Sequence, residues 1–130
     1  LLHAFPEAMI IASDIDLART EALARRFRGE ARIRIVRHRD LGNACAALEG
    51  GGVDLVLMDV PCSNTGVLPR RPEARYRAGE TGRAQLERLV QTQREIARTG
   101  EQLLSRRGGR LLYSTCSMQD RENEEQENRL

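Results

Sequence analysis

A chain of 130 residues with 40% apolar content is the size and composition of one globular domain. Its twenty-one basic and nineteen acidic residues leave a net charge of +2, too small to mark a nucleic-acid binder by itself. No apolar run approaches the roughly 20 residues that span a bilayer, and no basic-then-apolar leader is present, so a soluble, cytoplasmic protein without membrane contact is expected. Every basic residue other than the two histidines is arginine, which fits a GC-rich genome as well as selection for bidentate phosphate contacts. Cys45, Cys62 and Cys116 are odd in number, widely spaced and without a CxxC pair, which speaks for free thiols in a reducing compartment and against a metal site. The start, Leu-Leu-His-Ala-Phe-Pro, lacks an initiator Met and reads as the tail of a helix entering a turn, the mark of a truncated chain.

Short β-rich apolar runs alternate with longer helical periods, the pattern of βαβ units around a parallel sheet buried on both faces. Ala8 to Ser13 reads as the first strand, followed by a helix from Leu17 to Arg28 that Gly29 stops. Arg32 to Arg37 alternates Ile33, Ile35 and Val36 with arginines, as a wetter strand nearer the sheet edge would. Leu41 to Leu48 is a short helix ended by Gly50-Gly51-Gly52. Val53 to Val60 is the most apolar strand, and Pro61 closes it. From Cys62 to Gly82 runs one long Pro/Gly/Arg-rich loop. A helix carrying Leu86, Leu89, Val90, Ile96, Ala97, Leu103 and Leu104 then reaches Arg106, where Gly108-Gly109 breaks it. Arg110 to Thr115 is the last strand, and from Asp120 the tail is acidic. No repeat or linker divides the chain.

Chemistry in open parallel sheets gathers at the carboxyl ends of strands. Asp14 and Asp40 each follow a strand, where an acid can hold ribose hydroxyls or simply cap a helix; Asp16 is the better cap, directly before Leu17. Asp59-Val60-Pro61-Cys62-Ser63-Asn64-Thr65-Gly66 presents a carboxylate, a rigid proline and a thiol at the exit of a buried strand. Cys62 stands where amino-group methyltransferases keep an aromatic residue, so the target is not an amino nitrogen. A phosphatase loop would need Arg six positions after the thiol, and Leu68 and Glu122 stand there instead. Tyr113-Ser114-Thr115-Cys116-Ser117 puts a second thiol at the end of the next parallel strand, on what should be the same rim. Cys45, on the apolar face of its helix, reads as a small buried hydrophobe.

These two blocks resemble the Asp-Ala-Pro-Cys-Ser-Gly-Thr-Gly and Tyr-Ser-Thr-Cys-Ser blocks of the NOL1/NOP2/Sun (RsmB-type) family of RNA cytosine-C5 methyltransferases. Gly66-Val67-Leu68 leading to Arg70, Pro72 and Tyr76, and Glu122-Asn123-Glu124 after the second block, are similar to that family too. Asn64 replaces the family's glycine, Pro69 one of its arginines, and Tyr76 its more usual Trp.

The resemblance implies a Rossmann-like α/β methyltransferase fold over residues 1–130, a partial catalytic domain. The family's Gly-rich cofactor loop would precede Leu1, its C-terminal hairpin would follow Leu130, and its first strand would lie between the strands ending at Asp14 and Asp59. The isolated chain is accordingly expected to be poorly stable and to bind cofactor weakly. The cofactor would be S-adenosyl-L-methionine, with Asp14 on the ribose, Asp40 near the adenine and Asp59 bordering it. Cys116 would be the nucleophile, Cys62 the group assisting release, and Asp59 a partner for the edge of the base. Arg70, Arg71, Arg75 and Arg77, interleaved with Tyr76, would grip RNA, with ribosomal RNA ahead of tRNA and the complete protein a monomer. Alternatives are a DNA-type enzyme in which the Pro-Cys thiol attacks, a tRNA methyltransferase, and a non-catalytic RNA-binding remnant.

Overall fold

The computed structural model describes residues 3–67 and 80–128, and the chain divides into two compact units, 1–52 and 53–130. The arginine–tyrosine cluster of Arg70, Arg71, Arg75, Tyr76 and Arg77 lies outside the described residues.

In the first unit, β1 (Ile10–Ala12) pairs in parallel with β2 (Ile33–Ile35), Ile10 opposite Ile33 and Ala12 opposite Ile35. Ile10 N–H donates to Arg32 O at 2.8 Å and Val36 N–H to Ala12 O at 3.0 Å, closing the ladder at both ends. Both strands are shorter than their apolar runs because only three residues of each face a partner. Helix α1 (Leu17–Arg26) starts where Asp16 accepts the N–H groups of Ala18 and Arg19 at 2.8 and 3.3 Å, satisfying donors that an uncapped first turn would leave orphaned. Arg25 and Arg26 in its last turn complement the negative end of the helix dipole. A 3-10 turn (His38–Asp40) leads into α2 (Leu41–Ala46), which buries Ala44 and Cys45. Cys45 is thus a core residue, and burial raises its thiol pKa.

The second unit is built on β3 (Leu55–Asp59) and β4 (Arg110–Ser114), parallel and in register from Leu55 opposite Arg110 to Asp59 opposite Ser114. Val53, placed in the third strand by its apolar run, forms instead a separate parallel bridge with Leu104. Helix α3 (Glu80–Gln102) begins inside the stretch expected to be loop and ends before Arg106. Its buried face, Val90, Gln93 and Ala97, repeats at helical spacing. Val56, Met58 and Val60 form the core with Ala97, and Ile96, Leu103, Leu104, Leu111 and Tyr113 pack around it. Gly100 continues the same face; a Cβ there would lie 2.6 Å from Met58 Sδ and 3.2 Å from Leu111, so the missing side chain is what lets α3 lie close against the sheet. A 3-10 turn (Asp120–Glu122) and the single turn α4 (Glu124–Glu127) finish the chain.

Among the described residues of this unit the sheet is covered on one face. β3 alternates, with Met58 7% and Leu57 46% exposed, and on β4 Leu112 is 52% exposed. An unbroken apolar run reads the same whether one face or both are covered, and among the described residues α3 covers one. No helix among the described residues is long and apolar enough to cross a membrane.

The alternation predicts unequal costs for neighbours. Met58→Ala should lower the stability of this unit by about 2–5 kcal/mol, as buried Met deletions do. Leu57→Ala should cost less than about 1 kcal/mol. Urea unfolding monitored by circular dichroism checks this, and equal costs would contradict the one-sided core.

Candidate active site

Parallel pairing delivers the two sequence blocks to one place. Beyond the last register pair, Val60 N–H donates to Ser114 O at 3.1 Å, so the two chains leave the sheet side by side. The thiols of Cys62 and Cys116 are unbonded, and their sulfurs lie 3.0 Å apart. Cys62 is buried and Cys116 exposed. Asp59, at the last position of β3, is exposed, and its charge contributes to raising the Cys116 pKa.

The loops carrying the thiols are stitched together. Gly66 N–H donates to Cys116 O at 2.9 Å, and Met118 N–H donates to Thr65 Oγ1 at 2.9 Å. A Cβ on Gly66 would sit 2.7 Å from that same carbonyl oxygen, a backbone atom that cannot yield without separating the loops. Asn64, where the resembling family keeps glycine, adopts the left-handed conformation with φ 59°. Asparagine tolerates that region better than most residues. Its side chain is put to use there: Cys116 Sγ donates to Asn64 Oδ1 at 2.8 Å, and Asn64 Nδ2 donates to Cys62 O at 3.3 Å.

Beneath the thiols lies a buried polar cluster whose central acid, Glu122, the sequence shows in an acidic tail and in the family-like Glu122-Asn123-Glu124, without signalling its burial. Glu122 and Gln93 are both 0% exposed. Glu122 Oε1 accepts from Ser63 N–H and from Gln93 Nε2, each at 2.9 Å. Glu122 Oε2 accepts from the hydroxyls of Ser63 and Ser117. Gln93 Nε2 also donates to Pro61 O at 2.9 Å, and Tyr113 donates to Glu122 O at 2.9 Å. Asn123 closes the second loop, accepting from Thr115 Oγ1 at 2.7 Å and donating to Ser117 O at 3.1 Å. Burial, with the negative charge of Glu122 and Cys62 adding to it, pushes the Tyr113 phenol up to about 12. The available signal for this cluster is the repeated Cys-Ser pair, since Ser63 and Ser117 both follow a rim thiol.

Cys116 is pushed up to about 11, chiefly by its hydrogen bond with Cys62, then by burial and by the charges of Cys62 and Asp59. Cys116 therefore holds its proton at neutral pH. A thiol acts as a nucleophile only once that proton has gone.

In the first unit, Asp14 Oδ1 accepts Asp16 N–H at 2.8 Å, while its Oδ2 meets only the Arg19 guanidinium at 3.8 Å, across an edge where Arg19 is 74% exposed. Asp40 is exposed, 3.7 Å from Arg39 Nε, and makes no capping hydrogen bond to α2. Asp16 is the cap of α1, and Asp14 braces that cap by accepting its N–H.

Parallel β/α units of this kind belong to a partial Rossmann-like fold, that of the methyltransferases. The chain belongs to the 16S rRNA methyltransferase RsmB/F family, whose sequence profile matches residues 2–130. It is 35% identical over 130 residues to ribosomal RNA small subunit methyltransferase B of Xanthomonas campestris pv. campestris and 33% identical over 126 residues to that of Shewanella oneidensis. Each match covers 97% of this chain and 28% of the relative, so the chain spans little more than a quarter of those proteins. Among solved structures, the crystal structure of PH0851 superimposes with a TM-score of 0.71 at 31% identity, over 92% of this chain and 26% of that one.

Two outcomes follow from this geometry. Cys62→Ala removes the main cause of the raised Cys116 pKa, so the alkylation midpoint of Cys116 should fall from about 11 toward 9. Below both values its reaction with iodoacetamide should quicken up to about tenfold per unit of that fall. An unmoved midpoint would contradict the shared hydrogen bond. Gly66→Ala should part the loops and slow disulfide formation between Cys62 and Cys116 under mild oxidation, read by mass spectrometry; wild-type kinetics would contradict the close approach.

Proposed function

We propose that residues 1–130 form part of the catalytic domain of an RNA cytosine-C5 methyltransferase that acts on small-subunit ribosomal RNA in the cytoplasm. The observation that carries this reading is the pair of free thiols 3.0 Å apart at adjoining strand exits, just past Asp59 at the end of β3.

Cytosine C5 is a weak nucleophile, so methyl transfer needs the ring to be activated first. Cys116, as thiolate, adds to C6, and the electron pair moved onto the ring makes C5 nucleophilic. S-adenosylmethionine, when bound, supplies the electrophilic methyl that C5 takes. Water then takes the C5 proton, the C–H electron pair re-forms the C5–C6 double bond, and the C6–S bond breaks with its pair returning to Cys116; Cys62 assists that elimination. The exposure of Cys116 suits contact with a base swung out of its stack, and the burial of Cys62 suits a role in which it meets only the adduct. Asp59 accepts a hydrogen bond from the amino group at the N3 edge of the base, beside the atoms on which charge develops on addition.

The residues present fit the cofactor. Asp14, whose second carboxylate oxygen meets only the exposed Arg19 at 3.8 Å, turns that oxygen to the ribose hydroxyls, and Asp40, exposed and uncommitted as a cap, takes the adenine side. Asp59 borders the cofactor as well as the base. Arg70, Arg71, Arg75, Tyr76 and Arg77 hold the RNA by phosphate contacts and base stacking.

The division of labour between the thiols is tested by separate substitution in the full-length protein with unmodified substrate RNA. Cys62→Ser should accumulate a covalent protein–RNA species that denaturing gels resolve, because release is impaired while attack is not. Cys116→Ser should form none. The opposite pattern would assign the attack to Cys62.

A further inference from the structure

Glu122 stands apart from the reacting groups, yet its carboxylate binds both thiol loops at once from below. Its carboxylate receives four hydrogen bonds: two from Ser63, which follows Cys62, one from Ser117, which follows Cys116, and one from Gln93 of α3. Gln93 extends the tie to Pro61 O, the residue before Cys62. A fully buried carboxylate that accepts on both oxygens is costly to place unless those donors are held. The donors come from segments more than fifty residues apart in sequence, with Ser63 and Ser117 54 positions apart.

We propose that Glu122 is a positioning residue: a buried carboxylate clamp that sets the spacing and direction of the Cys62 and Cys116 thiols so that both reach one pyrimidine. This rests on the two-thiol reading above. Strand pairing alone stops at Asp59 and Ser114, two or three residues short of the thiols, and the stretch beyond is loop. Loop backbone needs a further constraint to hold two sulfurs within an ångström of a working distance, and misplacement by about 1 Å can cost about a hundredfold in rate. An isosteric glutamine cannot replace the carboxylate. Turning its amide either way sets an NH2 group against two donors, Ser63 N–H and Gln93 Nε2 on one side or the two serine hydroxyls on the other.

The test uses Glu122→Gln in the full-length protein, with two readouts. In the first, diamide oxidises the thiol pair: two S–H groups lose two protons and two electrons, one S–S bond forms, and diamide is reduced to its hydrazine. The rate of Cys62–Cys116 disulfide formation, which needs no RNA, should fall by about tenfold or more. In the second, adduct formation on 5-fluorocytosine RNA should keep its amplitude and lose about a hundredfold in rate. Reduced amplitude with an unchanged rate would mean a merely structural role and would overturn the proposal, as would wild-type oxidation. Should Glu122→Gln fail to fold, Ser117→Ala, which removes one donor and leaves the carboxylate, should slow both reactions severalfold, and wild-type rates there would equally overturn it. Adduct formation by Cys116→Ala would sink the two-thiol reading, and the oxidation rate would then decide the role of Glu122 by itself.

Discussion

The parallel pairing of β3 with β4 is the constraint on which the site depends. Five register pairs end at Asp59 opposite Ser114, so a carboxylate and two thiol-bearing loops leave the sheet at the same level. A slip of one residue would shift one exit by about 3.3 Å and turn its side chains to the other face. Met58 and Val56 would then lose their place against α3. The core that stabilises this unit and the geometry that would perform chemistry are therefore fixed by the same register.

Above that level, polar contacts replace apolar ones. The two loops share a backbone hydrogen bond at Gly66, a side-chain bridge at Thr65, and the buried cluster of Ser63, Ser117, Gln93 and Glu122. A hydrophobic layer could hold loops together, but it would not fix their orientation so closely, because dispersion and burial are non-directional. Placing directional bonds below the thiols and an open rim above them leaves Cys116 accessible while Cys62 stays covered. The raised pKa of Cys116 fits that arrangement, since its hydrogen bond with Cys62 keeps the exposed thiol protonated at neutral pH.

Much of this is legible in the sequence, for physical reasons that differ by residue. Strand-end Asp59, Cys62 and Cys116 can be placed because an apolar run closed by proline or followed by small polar residues marks where a buried strand ends. Asp16 can be assigned as a cap because it directly precedes a helical period, and its hydrogen bonds to Ala18 and Arg19 agree. The one-sided burial of β3 is not legible, since Leu57 and Met58 are equally apolar and only tertiary contacts separate them. Glu122 escapes a sequence reading for a related reason. An acid among acids looks solvated, and nothing local says that two serines from distant loops and a glutamine from α3 will surround it. Asn64 looks like a loss of glycine freedom, whereas it holds the left-handed turn itself and adds a hydrogen bond to Cys116.

The central claim is that two neighbouring thiols divide the work and that the exposed one forms the bond to the base. Trypsin, cutting after arginine, would place Cys116 in peptide 111–121 and Cys62 in peptide 40–70, so the two sulfurs report separately. Full-length protein trapped on 5-fluorocytosine RNA, digested with nuclease and trypsin and mapped by mass spectrometry, should carry the nucleotide on Cys116 in peptide 111–121. A nucleotide on Cys62 in peptide 40–70 would contradict the account.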